Sequence, residues 1–365
     1  MMKRILPAEW EQQSLVMLTW PHQATDWAPY LREITETYVA MADAITRYES
    51  VVIATPHPIQ VGALLSSRLT AEQMTRVYIC FCKTNDTWAR DHGPITLRSE
   101  DGKLTMLDFR FNGWGEKFEA ALDNEVTRTL HRDGAFDTEQ GGTPRLADHD
   151  DFVLEGGAIE SDGKGTVMTT EQCLMAPHRN QPLSKEEIEE ELRYRLKAKR
   201  IVWLQHGKLI GDDTDGHIDT IVRMAPGDTL LYNRCEDESD EQYDDFMALE
   251  EELKELRTAE GKPYRLIALP QPDAIYDEEE RLPATYANFL IINGAVLVPT
   301  YGQPLKDRAA CEAISEAFPD REVIPIDSRT IIRQHGSIHC CTMQIPLPQP
   351  LSQGEGGASS ACDMR

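Results

Sequence analysis

The chain has 365 residues, 41% of them hydrophobic, and a formal net charge of −25, so it can bury a large core while repelling nucleic-acid backbones and anionic membranes. No run approaches the about eighteen apolar residues of a membrane span, and the start, Met1 to Glu11, has basic residues but no apolar stretch of a secretion signal. A soluble, cytoplasmic protein is expected, its eight cysteines scattered without Cys-x-x-Cys spacing and reduced. The acidic runs at 236–255 and 277–280 read as solvated helix faces that also favour a small cationic substrate.

In chain order, 14–20 is a buried apolar run ended by Pro21. Leu31, Ile34, Tyr38, Ala42 and Ile45 recur at steps of three and four and predict an amphipathic helix over 30–48. Short apolar runs at 51–54 and 77–81 predict strands with a helix between them. A hairpin follows at 95–98 and 104–111, turning at Asp101-Gly102, because the glycine supplies the positive φ of a tight turn. The helical pattern of 118–131 comes after it. The same grammar returns at 152–160 and 166–170, where the next helix opens on Ser184 with Glu187 three residues on, a capping box, and leads to a strand at 201–204. It returns again at 218–224 and 229–232, with the acidic helix and a strand at 266–269, and at 286–292 and 295–299, joined by Asn293-Gly294, with a helix over 307–317 and a strand at 323–326.

Four hairpin-helix-strand units leave the first strand and the last, at 340–345, without hairpin partners. Pairing them makes a fifth unit from the two chain ends and closes a ring without open edges. The expectation is one α/β domain over 1–346, with 347–365 as a flexible tail. An open α/β sheet in two domains is the alternative that periodicity leaves standing.

Unusual polar residues precede the first strand of each hairpin. They are Asn85 to Pro94, Leu154-Glu155-Gly156-Gly157, Asp213 to Asp219, Asn288, and in the fifth unit Cys340. If the five first strands surround one axis, Asp91, Glu155, His217, Asp219 and Cys340 converge there, with His217 and Asp219 on one face by the period of two. A guanidinium fits such a set, since it is a planar cation with five donors that carboxylates hold in bidentate fashion while a nucleophile reaches its carbon. Cys340 has an unperturbed pKa of ~8.5 and would gain thiolate character from the bound cation, and His217 can protonate departing ammonia and then activate water. Trp88 and Trp114 are candidates to line the pocket, and Asp213 and Asn288 to touch the substrate. Singly, each has a plain structural reading: Asp91 as an ion-pair partner of Arg90, Glu155 as a turn carboxylate, the tryptophans as core. A metal held by His217, Asp219 and Cys340 is disfavoured because no histidines at helical spacing accompany them. His339 is expected to point away from Cys340 in a structural role, and Cys341 to pack on the opposite face.

The stretches Asn85-Asp86-Thr87-Trp88-Ala89-Arg90-Asp91-His92-Gly93-Pro94, Leu154-Glu155-Gly156-Gly157, Gly216-His217-Ile218-Asp219 and Ile338-His339-Cys340 resemble, in order, the signatures of agmatine deiminases and the related bacterial peptidylarginine deiminases, over about 5–346. The resemblance implies the five-bladed α/β propeller of guanidine-modifying enzymes, a Cys340 nucleophile passing through a covalent thiouronium, and His217 as acid and base. It also implies Asp91, Glu155 and Asp219 as partners of the guanidinium or the histidine, and neither metal nor organic cofactor. Gln334-His335-Gly336-Ser337 stands where agmatine deiminases usually read Gly-Gly-Gly-Asn, Asp215 where they often have Asn, and Cys341 where they have an aliphatic residue. An anionic chain suits a dication, so hydrolysis of agmatine to N-carbamoylputrescine and ammonia is the expected reaction. A peptidylarginine deiminase and a guanidinium-binding protein without turnover are the alternatives. A closed ring with acidic outer helices leaves other faces for pairing into a homo-oligomer.

Overall fold

Gly294 takes φ +74° and Ile292 pairs directly with Ala295, the two-residue turn that Asn-Gly favours. The computed structural model describes residues 3–138 and 142–350, and five of its sheets share one strand pattern, beside a separate two-stranded pair at Tyr276–Asp277 and Glu280–Arg281. In each of the five, an antiparallel pair is followed by a strand parallel to its second member. The first sheet holds Ile95–Ser99, Leu104–Arg110 and Arg145–Val153, with Arg4–Ile5 on its edge. The second holds Ile159–Ser161, Thr166–Thr170 and Arg200–Leu204. The third holds Val222–Ala225, Thr229–Arg234 and Arg265–Pro270, and the fourth Leu290–Ile292, Ala295–Thr300 and Glu322–Asp327.

The fifth sheet joins the two ends of the chain as expected. Thr342–Pro346 pairs antiparallel with Gln13–Thr19, which is followed by Ser50–Thr55 and Val77–Phe81 in parallel. Parallel neighbours need a crossover, and helices supply it: Leu31–Thr46, Val126–Arg132, Lys185–Leu196, Tyr243–Glu255 and Pro304–Ala317. The Ser184–Glu187 capping box forms in both directions, at 3.3 and 2.8 Å.

Apolar residues face both sides of the sheets, which is why the strands read as continuous apolar runs. Val16 and Leu18 pack with Ile34 and Tyr38 against Leu290 and Leu297 of the fourth sheet. On the other side, Leu15 and Met17 pack with Val126 against Met106 of the first. Three further cores join first to second sheet, second to third, and third to fourth.

Two departures from the sequence reading matter. The strand Arg145–Val153 was not expected, because it lies outermost in its sheet and is largely exposed or half-buried, so its polar sequence carries no strand alternation. The first strands of the later hairpins are also shorter than expected, starting at Ile159, Val222 and Leu290, and the residues ahead of them form turns. Of the expected tail, 351–365 lies outside the described residues. No helix among the described residues is long and apolar enough to cross a membrane.

Leu18 is buried at the seam between the two chain ends. Leu18→Ala is expected to lower unfolding stability by about 2–5 kcal/mol in urea titration, and a change within about 0.5 kcal/mol would show that the seam does not contribute to the core.

Candidate active site

The turns ahead of the hairpins meet at Gly157. A Cβ there would lie 2.6 Å from His217 Nδ1, 2.9 Å from Asp91 Oδ1 and 3.1 Å from Asp219 Oδ2, so only glycine lets the backbone come this close. The Gly157 amide uses that access and donates to Asp91 Oδ1 at 3.1 Å. Trp114 Nε1 donates to the other oxygen at 3.0 Å. Asp91 itself sits in the short helix Ala89–His92, held beside the last motif by Arg90 N donating to Cys340 O at 3.1 Å.

His217 is set by the loop before it. Asp212 accepts from Thr214 N at 3.2 Å and Gly216 N at 2.7 Å, and Thr214 Oγ1 accepts from His217 N at 3.1 Å. Asp219 follows in the turn Ile218–Thr220. His217 and Asp219 therefore meet around Gly157 from a 3-10 turn, and the expected strand alternation is corrected; Cys340 likewise precedes its strand. Asn288, expected near the substrate, accepts from Cys340 N at 3.2 Å and donates to Asp219 O at 3.3 Å. Its amide ties the third, fourth and fifth units together.

Cys340 opens into a cleft of about 580 Å³ walled by Trp88, Asp91, Trp114 and Phe118, with Asp26, Asp86, Asp213 and His335 also lining it. Trp88 and Trp114 pack edge to face with centroids 6.4 Å apart, inside the apolar core as well as on the cleft wall. Gly336 lies flat on Trp88, where a Cβ would come within 2.1 Å of the ring, so this position of the 334–337 stretch has room for glycine alone. No lysine or arginine lines the cleft among the described residues. Asp215, in place of the usual Asn, pairs with Lys117 and Arg179, each at 2.9 Å.

Cys340 Sγ lies 3.8 Å from Asp219 Oδ2, and His217 Nδ1 3.7 Å from Asp91 Oδ1. Glu155 is fully buried and its Oε1 lies 2.8 Å from Arg179 Nε. Arg179 was not anticipated, because it lies in a loop without periodicity; its guanidinium also donates to Thr214 O at 2.8 Å. Neighbouring Asn180 is structural, pairing with both backbone groups of Val153 at 2.9 and 2.8 Å. Cys173, equally unanticipated, is buried beside His217 and Glu155. His339 does not stand apart from the site: its Nδ1 donates to Asp219 Oδ2 at 2.6 Å.

Burial, then the Asp219 and Asp91 charges, push the Cys340 thiol well above its usual range. Burial alone would lower His217, but Asp91, then Cys173 and Glu155, raise it well above an ordinary histidine. Asp91 is raised to about 6, by burial first and by Asp219 and Glu155 against the opposing pull of His217. Burial works to raise Asp219 as well, but His339, His217 and Arg223 bring it below the usual carboxylate range. In the free site these shifts favour a protonated His217 and a neutral Cys340 thiol. Glu155, Cys173 and His217 have ligand atoms within 4.8 Å of one another; the Arg179 guanidinium against Glu155 already supplies the cation there, so the trio reads as an electrostatic surround for His217.

Cys340 and Asp91 on the cleft wall, with His217 and Asp219 fully buried directly behind them, make a site able to hold a planar cation beside a sulfur. The chain belongs to the Porphyromonas-type peptidyl-arginine deiminase family, whose profile matches residues 5–346. An agmatine deiminase of Pseudomonas aeruginosa is 33% identical over 94% of this chain and 96% of its own. Among solved structures, a Porphyromonas gingivalis protein provisionally named an arginine deiminase has a TM-score of 0.88 at 50% identity, covering 94% of this chain and 98% of its own. The C. jejuni agmatine deiminase with substrate bound has a TM-score of 0.85 at 35% identity, covering 95% and 97%.

Because the free thiol is held neutral, alkylation of Cys340 by iodoacetamide, followed by site-resolved mass spectrometry, is expected to be slow at pH 7 and still rising above about pH 9. A rate already at its plateau by pH 7 would contradict this charge assignment.

Proposed function

We propose that the protein hydrolyses the guanidinium of agmatine to N-carbamoylputrescine and ammonia. The observation that carries the choice of substrate is the charge of the cleft: Asp26, Asp86 and Asp213 line it together with Asp91, and among the described residues no lysine or arginine does. Agmatine brings a guanidinium and a second ammonium, whereas free arginine needs a cation for its α-carboxylate. Burial and the neighbouring Asp26 raise Asp86 to about 7, a penalty that an ammonium bound between the two would relieve.

Asp91 and Asp219 bind the guanidinium, and its charge offsets the carboxylates that keep Cys340 protonated. The thiol then gives its proton to solvent water in the cleft, and Sγ forms a bond to the guanidinium carbon while one C–N π pair moves onto nitrogen. His217 gives its proton to one nitrogen, the C–N bond breaks, ammonia leaves and a thiouronium remains on Cys340. Water attacks the same carbon while His217 takes a proton from it. The C–S bond then breaks, and the sulfur regains a proton as the ureido product departs. Glu155, with Arg179 and Cys173, keeps His217 in place. Trp88 and Trp114 wall the alkyl chain.

The same reading takes residues 1–346 as a single domain and its five sheets as a closed five-bladed propeller. The cores support this, since they join first to second, second to third, third to fourth, fourth to fifth and fifth back to first. Seven free cysteines among the described residues fit a reducing cytoplasm.

Ammonia release from agmatine, free arginine and a blocked arginine peptide, run beside Cys340→Ala, tests the function. Agmatine is expected to give a kcat/KM at least about tenfold above the others, a difference of ~1.4 kcal/mol, and the alanine variant none. Preference for the peptide would move the substrate to peptidylarginine, and binding without release from any substrate would leave a guanidinium-binding protein. Asp86→Asn is expected to raise KM for agmatine about tenfold, and an unchanged KM would remove Asp86 from the ammonium site. As Asp91 is an acid raised to about 6, it loses its charge as pH falls through that value, so kcat/KM should decline below about pH 6.

A further inference from the structure

Behind Asp219 lies a buried ionic layer that no catalytic motif predicts. His339 Nδ1 donates to Asp219 Oδ2 at 2.6 Å, and its Nε2 lies 2.8 and 3.0 Å from the two oxygens of Glu9. Glu9, from the start of the chain, is held in turn by Arg90 Nη1 at 2.9 Å and Arg223 Nη2 at 2.6 Å. Arg223 also pairs with Glu160, which accepts from Met224 N at 2.8 Å. Burial would raise Glu9, but His339, Arg90 and Arg223 hold it well below the usual carboxylate range.

Neither His339 nor Glu9 lines the substrate cleft. Glu9, Arg90 and Glu160 instead line a second cavity of about 610 Å³, whose lining shares no residue with the cleft. Whatever His339 does for the reaction passes through Asp219. That carboxylate is fully buried, and its Oδ1 has no hydrogen-bond partner among the described residues. A buried acceptor left unpaired costs about 1–3 kcal/mol, so the site is built with one oxygen clamped and one waiting for a donor. A guanidinium N–H is such a donor.

We propose that His339 is a positioning residue for deimination: it fixes Oδ2 of Asp219, with Glu9 bracing the ring from behind, so that Oδ1 meets the guanidinium of the substrate. The proposal rests on the reading of the site as a guanidinium hydrolase. A charge-assisted bond of 2.6 Å is short for its class, and it removes the rotation of the carboxylate that would otherwise misplace the cation relative to Cys340. Misplacement of the order of 1 Å costs about a hundredfold in rate.

The test compares His339→Ala with His339→Asn. Alanine leaves most of the ring's volume empty, whereas asparagine fills more of it and keeps an amide donor close to the place of Nδ1. His339→Ala is expected to lower kcat/KM for agmatine about 100-fold, and His339→Asn to recover to within about tenfold of the parent. Titration calorimetry with methylguanidinium gives a readout independent of turnover, expected to weaken about tenfold in the alanine variant and to recover in the asparagine variant. Parental kcat/KM and affinity in the alanine variant would overturn the proposal. So would an asparagine variant that is folded by circular dichroism yet as impaired as the alanine one, because the ring would then matter only as filling. A parent that binds methylguanidinium but releases no ammonia would overturn the hydrolase reading, and the calorimetric comparison would still decide the role of His339.

Discussion

The structure is arranged around an excess of negative charge kept out of water. Asp91, Glu155 and Asp219 are all buried, with Asp219 3.8 Å from the Cys340 sulfur and Asp91 3.7 Å from His217, and in so poorly solvated a place charges persist only when opposed. Three groups oppose them from behind: Arg179 against Glu155, His217 beside Asp91, and His339 against Asp219. On the cleft side the balance is left short. That deficit raises both Asp91 and Cys340, and on the proposed reading it is what the substrate completes. Binding and activation of the nucleophile then have one electrostatic cause, because the same cation satisfies the carboxylates and releases the thiol proton.

The fold serves this balance by delivering the groups from four units, Asp91, Glu155, the His217–Asp219 turn and Cys340. A carboxylate, an imidazole and a thiol carried by one strand or helix would be spread along it. Here each stands on the turn ahead of a hairpin, and the turns are drawn together where Gly157 has no side chain. The chain ends take part directly. Gln13–Thr19 pairs with the strand that follows Cys340, and a few residues earlier Glu9 braces His339. The seam that joins the ends thus also supports Cys340, and the N-terminal segment packs directly behind it.

Much of this was legible in the chain. Asn293-Gly294 and the Ser184–Glu187 box act over a few residues, and local sterics and capping decide them without help from the rest of the molecule. The pairing of the two leftover strands followed from counting hairpins. Arg145–Val153 was hidden because an outermost strand with little burial has no need of an apolar pattern. Strand alternation predicts His217 and Asp219 on one face, whereas a 3-10 turn carries them. Its position in the repeat predicts Asn288 near the substrate, but its amide is committed to backbone groups on two other units.

What the sequence determined by itself is therefore the inventory and the local grammar: four ordered motifs, their residue types, the turns, the caps and the repeated hairpin. These depend on the properties of neighbouring residues, which are written in the order of the letters. Only the tertiary structure decided which charges face one another. Arg179 on Glu155, His339 on Asp219 and Glu9 on His339 join residues 24, 120 and 330 positions apart, and no local rule selects such partners. They are chosen by the energy of burying charge, and that can be evaluated only once the units are packed and water is gone.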